Sequence, residues 1–175
     1  MRWVPAIFLC LLFAAPLSAQ KEKREPLTEA QVEKIAEAGI DPNQRVTLYT
    51  QYLNEHADAI KALTNRAKSD ARNSRLNDAL QDLTTLMDEL GDNLDVFSDR
   101  KADIRKSLQA LADAAPRWQG ILRALAGEPG FDLSRKEAIE ASEELSDQAK
   151  RLLQEQADYF KQHPDEIGQD RAEPK

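Results

Sequence analysis

Cysteine is almost absent from the chain: Cys10 is the single cysteine among 175 residues. One thiol forms no intrachain disulfide, so the small disulfide-stapled scaffolds are excluded. Glycine, with 6 residues, is too rare for a collagen-like repeat. A basic excess is missing too, because 31 Asp and Glu outnumber 24 Lys and Arg and give a net charge of −7. We therefore expect no nucleic-acid partner, since binding to phosphates requires cationic side chains.

Apolar runs long enough to cross a bilayer are also lacking, and the longest run lies at the N-terminus. Arg2 precedes an apolar stretch over residues 4–15, which is short for a membrane span, and small residues precede Gln20. This pattern predicts a signal peptide cleaved near Ala19-Gln20 and a secreted or periplasmic protein that has lost Cys10. A retained membrane anchor is the alternative, which the charged residues after Gln20 disfavour.

Residues that favour strands are scarce in the remainder, where Leu and Ala far outnumber Val and Ile. The expected fold is all-α: an antiparallel helical bundle or hairpin of long amphipathic helices with coiled-coil-like heptad packing. The expected organisation is a signal peptide over 1–19, a polar linker over 20–26, a single helical domain over 27–163 and a disordered polar tail over 164–175.

Capping residues mark two helix starts. Thr28 and Gln31 form a capping-box pair, and Gly39 predicts the end of this first helix. Asp41 is a good N-cap and is followed by Pro42 at the first helical position. The sequence therefore predicts a short helix and then a long one. The long helix repeats apolar or aromatic residues at steps of three and four: Val46, Tyr49, Leu53, His56, Ile60, Leu63 and Ala67.

The strongest periodicity covers residues 76–111, where Lys101 is the one misfit in a heptad pattern. We expect one helix to carry this stripe, and we expect the stripe to pack within one chain rather than between the chains of a homodimer. The apolar members of the stripe are Leu76, Leu80, Leu83, Met87, Leu90, Leu94, Phe97, Ile104, Leu108 and Leu111.

The connection between the apolar repeat that ends at Ala67 and the stripe that begins at Leu76 has two interpretations. The apolar seam is lost over residues 65–75, and the two faces are out of phase with each other. Either the chain turns near residues 69–70 or 73–74 and forms a hairpin, or one long helix over 42–113 contains a stammer.

The last part of the domain contains a short helix and a long one. Pro116 is expected to end the helix that carries the stripe and to open a short helix whose apolar face begins at Trp118. Ser134 and Glu137 predict a second capping box, at the start of a long helix that runs to His163.

Motifs for catalysis, metals and cofactors are missing from the sequence. No serine lies in a G-x-S-x-G elbow, and neither His56 nor His163 has the Glu three residues earlier that di-iron bundles use. Gly-rich phosphate loops, haem motifs and zinc motifs are absent as well. We expect a non-enzymatic protein without catalytic residues, metal ligands or cofactors.

Tyr49, Tyr52 and His56 form the first candidate site, because they share one stripe of the second helix. Two hydroxyls and an imidazole on one stripe suit contact with a ligand or a partner. The alternative is structural: at the edge of a bundle, tyrosine rings pack while their hydroxyls stay hydrated.

Arg100, Lys101, Arg105 and Lys106 form a second candidate site, a basic cluster in an acidic protein. An acidic partner is the functional interpretation. Asp99 and Asp103 lie among these cations and partly balance them through pairs within the helix. The alternative is that the cluster complements the acidic face of the last helix, or that both are solvated faces; the acidic face contains Glu137, Glu140, Glu143 and Glu144.

The function that these features favour is that of an exported helical protein of the cell envelope. Such a protein acts through contacts with another envelope or exported protein, as a structural component, an adaptor or a holdase. The alternative is a bundle that binds a small ligand or a metal through Tyr49, Tyr52 and His56.

Overall fold

The computed structural model describes residues 25–39 and 41–168. The predicted signal peptide, most of the linker and the end of the predicted tail lie outside these residues. The described part contains five α-helices and one 3-10 turn, without strands, so the all-α prediction is confirmed. The elements are α1 (Glu29–Glu37), α2 (Pro42–Thr64), α3 (Asp70–Asp99), α4 (Arg105–Ala124), α5 (Asp132–Gln162) and η1 (Pro164–Glu166).

Both predicted starts of the first two helices are confirmed. The Thr28 backbone N–H donates to Gln31 Oε1 at 2.9 Å, and the Gln31 N–H donates back to the Thr28 hydroxyl at 3.4 Å, which closes the capping box. Asp41 Oδ1 accepts from the Gln44 N–H at 3.1 Å and caps α2. Gly39 adopts a φ of +57° just after α1, a conformation that glycine adopts at little cost.

The chain turns between α2 and α3, so the hairpin interpretation is correct. Thr64 is the last residue of α2, and the Ser69 hydroxyl accepts from the Arg72 N–H at 3.2 Å to cap α3. The turn needs neither Gly nor Pro. The Ser69 side chain starts the new helix, because it accepts a hydrogen bond from a backbone N–H that has no partner within the helix.

The expectation of one helix under the whole 76–111 stripe is wrong, since a turn at residues 100–104 separates α3 from α4. Lys101, the misfit in the heptad pattern, lies in this turn with a φ of +56°. The pattern is apolar on both sides of the turn because both helices direct their apolar faces at one core. Phe97 and Ile104, on either side of the turn, are both buried.

Two further helix boundaries differ from the predicted ones. Pro116 lies inside α4 and does not end it. The buried residues Ala115, Trp118 and Leu122 continue the apolar face past the proline, and their burial outweighs the missing backbone hydrogen bond. The Ser134 capping box is absent, because α5 begins at Asp132 and the buried Ser134 hydroxyl donates to Asn77 Oδ1 at 2.8 Å.

The predicted disordered tail begins with ordered structure instead. Residues Pro164–Glu166 form the 3-10 turn η1, and the Tyr159 hydroxyl donates to Glu166 Oε2 at 2.6 Å. This hydrogen bond holds η1 against the last helical turn of α5. Residues 169–175 lie outside the described part of the chain.

Helices α2 to α5 form a four-membered ring around one core. Both α2 and α5 pack against α3 and α4, whereas α3 and α4, although consecutive in sequence, make no helix–helix contact within the described residues. Helix α1 lies against α2. The stripe predicted over 76–111 is buried inside a single chain, with every apolar member between 0% and 4% exposed.

Side-chain contacts give the helix directions. Asn43 contacts Ser107 and Asn54 contacts Trp118, so α2 and α4 run parallel. Tyr49 reaches Glu89 in the antiparallel partner α3. One end of the bundle therefore holds the end of α2, the start of α3, the end of α4 and the start of α5.

Candidate functional site

The tyrosine stripe of the first candidate site is buried inside the bundle. Tyr49 is 1% exposed and Tyr52 is 2% exposed, while His56 is half-buried. The Tyr49 hydroxyl donates to Glu89 Oε1 at 2.5 Å. Burial, followed by this hydrogen bond to Glu89, raises the pKa of Tyr49 well above its usual value. The Tyr52 hydroxyl is buried and has no hydrogen-bond partner among the described residues.

These positions leave little of the stripe on the surface. The two tyrosine rings belong to the core, so the expectation that their hydroxyls stay hydrated at a bundle edge is not met. Contact between a macromolecule and both tyrosines would require the helices to separate. A ligand-binding role for Tyr49, Tyr52 and His56 remains a prediction.

The basic cluster of the second candidate site lies at the turn between α3 and α4. Arg105 donates from Nε and Nη2 to the two carboxylate oxygens of Asp103, both at 2.8 Å. Its guanidinium also lies 4.7 Å from the centre of the Phe160 ring. The hydrogen bond from Arg105 lowers the pKa of Asp103. Arg105 is therefore paired with Asp103, in the turn that precedes α4.

The other members of the cluster differ in exposure. Lys101 is exposed, and its Nζ lies 5.7 Å from the centre of the Tyr159 ring. Arg100 is half-buried at the C-cap of α3, and Lys106 is exposed on the first turn of α4. Lys101 and Lys106 thus remain accessible, but neither lines the cleft described next.

A cleft of about 580 Å³ lies at the opposite end of the bundle. The sequence did not predict this cleft. It is formed by the end of α2, the start of α3, the end of α4 and the loop before α5. A volume of this size falls within the range of about 300–1,000 Å³ that is typical of ligand sites. Its lining residues are Lys61, Thr64, Asn65, Lys68, Arg72, Arg117, Gly120, Ile121, Ala124, Leu125, Ala126, Glu128 and Phe131.

One carboxylate organises the polar wall of the cleft. Glu128 accepts from Lys68 Nζ at 3.0 Å and from Arg72 Nη1 at 3.4 Å. Arg72, only 8% exposed, also donates from Nε to the Leu63 carbonyl at 3.3 Å and so joins α3 to the end of α2. The hydrogen bond from Lys68 lowers the pKa of Glu128, which keeps this carboxylate ionised.

The floor of the cleft is apolar and firmly packed. Phe131 and Leu125 are buried core residues, and Ile121 is half-buried beside them. Trp118 lies one turn before Ile121 on α4 and is fully buried, with its indole Nε1–H donating to Asn54 Oδ1 at 2.8 Å. The cleft thus combines a packed apolar floor with a cationic rim.

Signals for this cleft are present in the sequence, but they are dispersed. Residues 65–75, where the apolar seam is lost, carry Lys68 and Arg72, while Arg117 and Glu128 come from a distant part of the chain. Gly120 is a further signal, because a glycine in the interior of a helix makes the helix less stable than an alanine would, by about 1 kcal/mol. Only the packing of four helices brings these residues together.

No cluster of His, Cys, Asp and Glu among the described residues has the geometry of a metal site. Within the same residues, none of the helices is both long enough and apolar enough to cross a membrane. Comparisons of the chain with known protein families, curated proteins and solved structures found no match.

Proposed function

We propose that this protein is a non-enzymatic binding protein of the cell envelope, which acts through contact with another exported protein. The observation that carries the proposal is the cleft at the end of the bundle. It presents apolar surface and several cationic side chains to solvent at one end of the four-helix ring. Binding sites in proteins are typically concave, with an apolar floor and a few convergent polar groups.

Export is supported by the sequence pattern of residues 1–19. The proposal places the mature N-terminus at Gln20 and the protein in the periplasm or outside the cell. N-terminal sequencing of the protein from the envelope or secreted fraction tests this. A chain that still begins at Met1 would refute it.

Site-specific photocrosslinking tests the contact with a partner. The photoreactive residue p-benzoylphenylalanine is placed at Ala124, which is exposed and lines the cleft, and separately at Lys106, which is exposed at the opposite end. In the native host we expect a discrete protein adduct from position 124 and none from position 106. Equal labelling from both positions, or no adduct from position 124, would refute a partner at the cleft.

Binding of a small ligand is the second candidate function, and the volume of the cleft favours it over an entirely structural role. The cleft is a better location for such a ligand than the buried stripe of Tyr49, Tyr52 and His56. Native mass spectrometry of the protein purified from its host tests this, since a retained small molecule adds mass that denaturation removes.

A further inference from the structure

The cleft has more cationic side chains than carboxylates to balance them. Four cationic residues line it, against the single carboxylate of Glu128 within the described lining. One of the four, Arg117, pairs with Asp58, which lies outside the lining, so two carboxylates balance the four cations. Lys68 and Arg72 share this carboxylate, whereas Lys61 forms no ion pair with any residue in the described part of the chain. Lys68 is also 75% exposed and can reach outward. The rim is therefore an electropositive patch on a protein of net charge −7.

Helix dipoles do not cancel this excess. The C-terminal ends of α2 and α4 carry partial negative charge, and the N-terminal ends of α3 and α5 carry partial positive charge. All four ends meet at the cleft end of the bundle, so their contributions oppose one another. The charged side chains then determine the sign of the potential in the cleft.

Gly120 shows that space in the cleft is left open. A Cβ atom built on this residue would have no neighbour within 4 Å, so packing does not require glycine there. Alanine would stabilise the helix, and larger residues would project into the cleft. The absence of a side chain at this position leaves Ile121 and Ala124 accessible from the rim.

We propose that the cleft binds an acidic, extended segment of the exported partner. Carboxylates of the segment pair with Lys61 and Lys68, and one apolar side chain lies on the floor at Ile121, over Gly120. Charge complementarity selects this occupant, because the rest of the acidic protein repels a carboxylate-rich chain and the cleft attracts it. The inference rests on the proposed function and names the chemistry of the partner.

Fluorescence anisotropy of a labelled peptide tests the proposal. The probe is Glu-Asp-Glu-Leu-Glu-Asp-Glu with an N-terminal fluorescein, and the control is Gln-Asn-Gln-Leu-Gln-Asn-Gln with the same label. We expect the acidic peptide to bind at least about tenfold more tightly than the control. Raising NaCl from about 0.05 to about 0.5 M should weaken the acidic complex at least about fivefold, because rim charges are screened.

Matched variants of the rim locate the binding site. We expect Lys61→Glu and Lys68→Glu each to weaken binding about tenfold or more, while Lys106→Glu changes it less than about twofold. Lys106 is exposed and lies at the far end of the bundle, so its substitution gives the same change in net charge without touching the cleft. Circular dichroism confirms that each variant is folded.

A second pair of variants tests the space over the floor. Gly120→Phe should abolish peptide binding, whereas Gly120→Ala should leave it within about threefold. If Gly120→Phe does not fold, the lysine variants alone decide the outcome. Equal binding of the two peptides, or equal effects of Lys61→Glu and Lys106→Glu, would overturn the proposal.

Other outcomes separate this proposal from the broader one. Failure of the acidic peptide to bind, combined with a specific photocrosslink from position 124, overturns the acidic segment but leaves a protein partner at the cleft. Failure of both overturns the proposed function as well. Binding of dodecanoate that Gly120→Phe abolishes, without binding of the peptide, would instead identify a site for an anionic small amphiphile.

Discussion

Replacement of Gln156 by Met tests how the turn between α3 and α4 is held. Gln156, only 6% exposed on α5, donates from Nε2 to the Ala102 carbonyl at 2.9 Å. Its Oε1 accepts from the Ile104 N–H at 3.1 Å. Ala102 and Ile104 are fully buried, so water does not reach these two backbone groups. The side-chain amide of Gln156 thus satisfies both the Ile104 N–H and the Ala102 carbonyl.

Methionine retains nearly the shape and the helix propensity of glutamine but offers no amide. Each buried backbone group that loses its partner costs about 1–3 kcal/mol. We therefore expect Gln156→Met to lower the free energy of unfolding by about 2–6 kcal/mol, since two such groups lose their partner. This is a large share of the roughly 5–15 kcal/mol that stabilises a typical domain.

Gln154→Met is the matched control, on the same helix and two residues away. Gln154 is exposed, and its amide donates only to Asp158, one turn along α5. We expect this substitution to change the free energy of unfolding by less than about 0.5 kcal/mol. Urea unfolding followed by far-ultraviolet circular dichroism measures both variants. Equal destabilisation by the two substitutions would refute the role assigned to Gln156.

Three further predictions concern the turn, the core and the buried tyrosine. Lys101→Gly should raise the free energy of unfolding by about 0.5–1 kcal/mol in urea titrations, because a φ of +56° strains any residue with a Cβ. In the same assay Met87→Asp should cost about 3–5 kcal/mol, since Met87 is 1% exposed, whereas exposed Thr85→Asp should cost less than about 1 kcal/mol. Burial and Glu89 raise the pKa of Tyr49 above its usual 10.0, so the stability that this group contributes is complete below about pH 10 and is lost as the pH rises towards the folded-state pKa. Tyr49→Phe should reduce this alkaline loss, measured as the urea midpoint between pH 9 and pH 11.

Each of these predictions has a result that contradicts it. A destabilised Lys101→Gly would mean that the contact of Lys101 with the Tyr159 ring outweighs the backbone strain. Equal costs for the two aspartate variants would mean that the helix face is misassigned. An unchanged alkaline profile in Tyr49→Phe would mean that other groups control the loss of stability at high pH.

The sequence by itself determined the starts of the first two helices and the apolar faces. Thr28, Gln31 and Asp41 act within one helical turn, so their capping hydrogen bonds depend on local geometry alone. The burial of the 76–111 stripe was equally predictable, because a face that repeats at steps of three and four must find a core.

Only the tertiary structure decided where long-range contacts override local patterns. The turn at residues 100–104 divides the 76–111 stripe and is stabilised by Gln156, which lies far along the chain on α5. Pro116 stays inside α4 because burial of Trp118 and Leu122 outweighs one lost hydrogen bond. The stripe of Tyr49 and Tyr52 is buried because two neighbouring helices cover α2.

The cleft is the clearest case of a feature that no local pattern contains. Lys61, Lys68 and Gly120 lie in three separate segments, and none of them has a neighbour in sequence that marks it as part of a site. Their proximity follows from the ring arrangement of α2 to α5, which gathers two helix starts and two helix ends at one place. Sequence periodicity specifies which face of a helix is buried, but the choice of neighbouring helices depends on packing across the whole core.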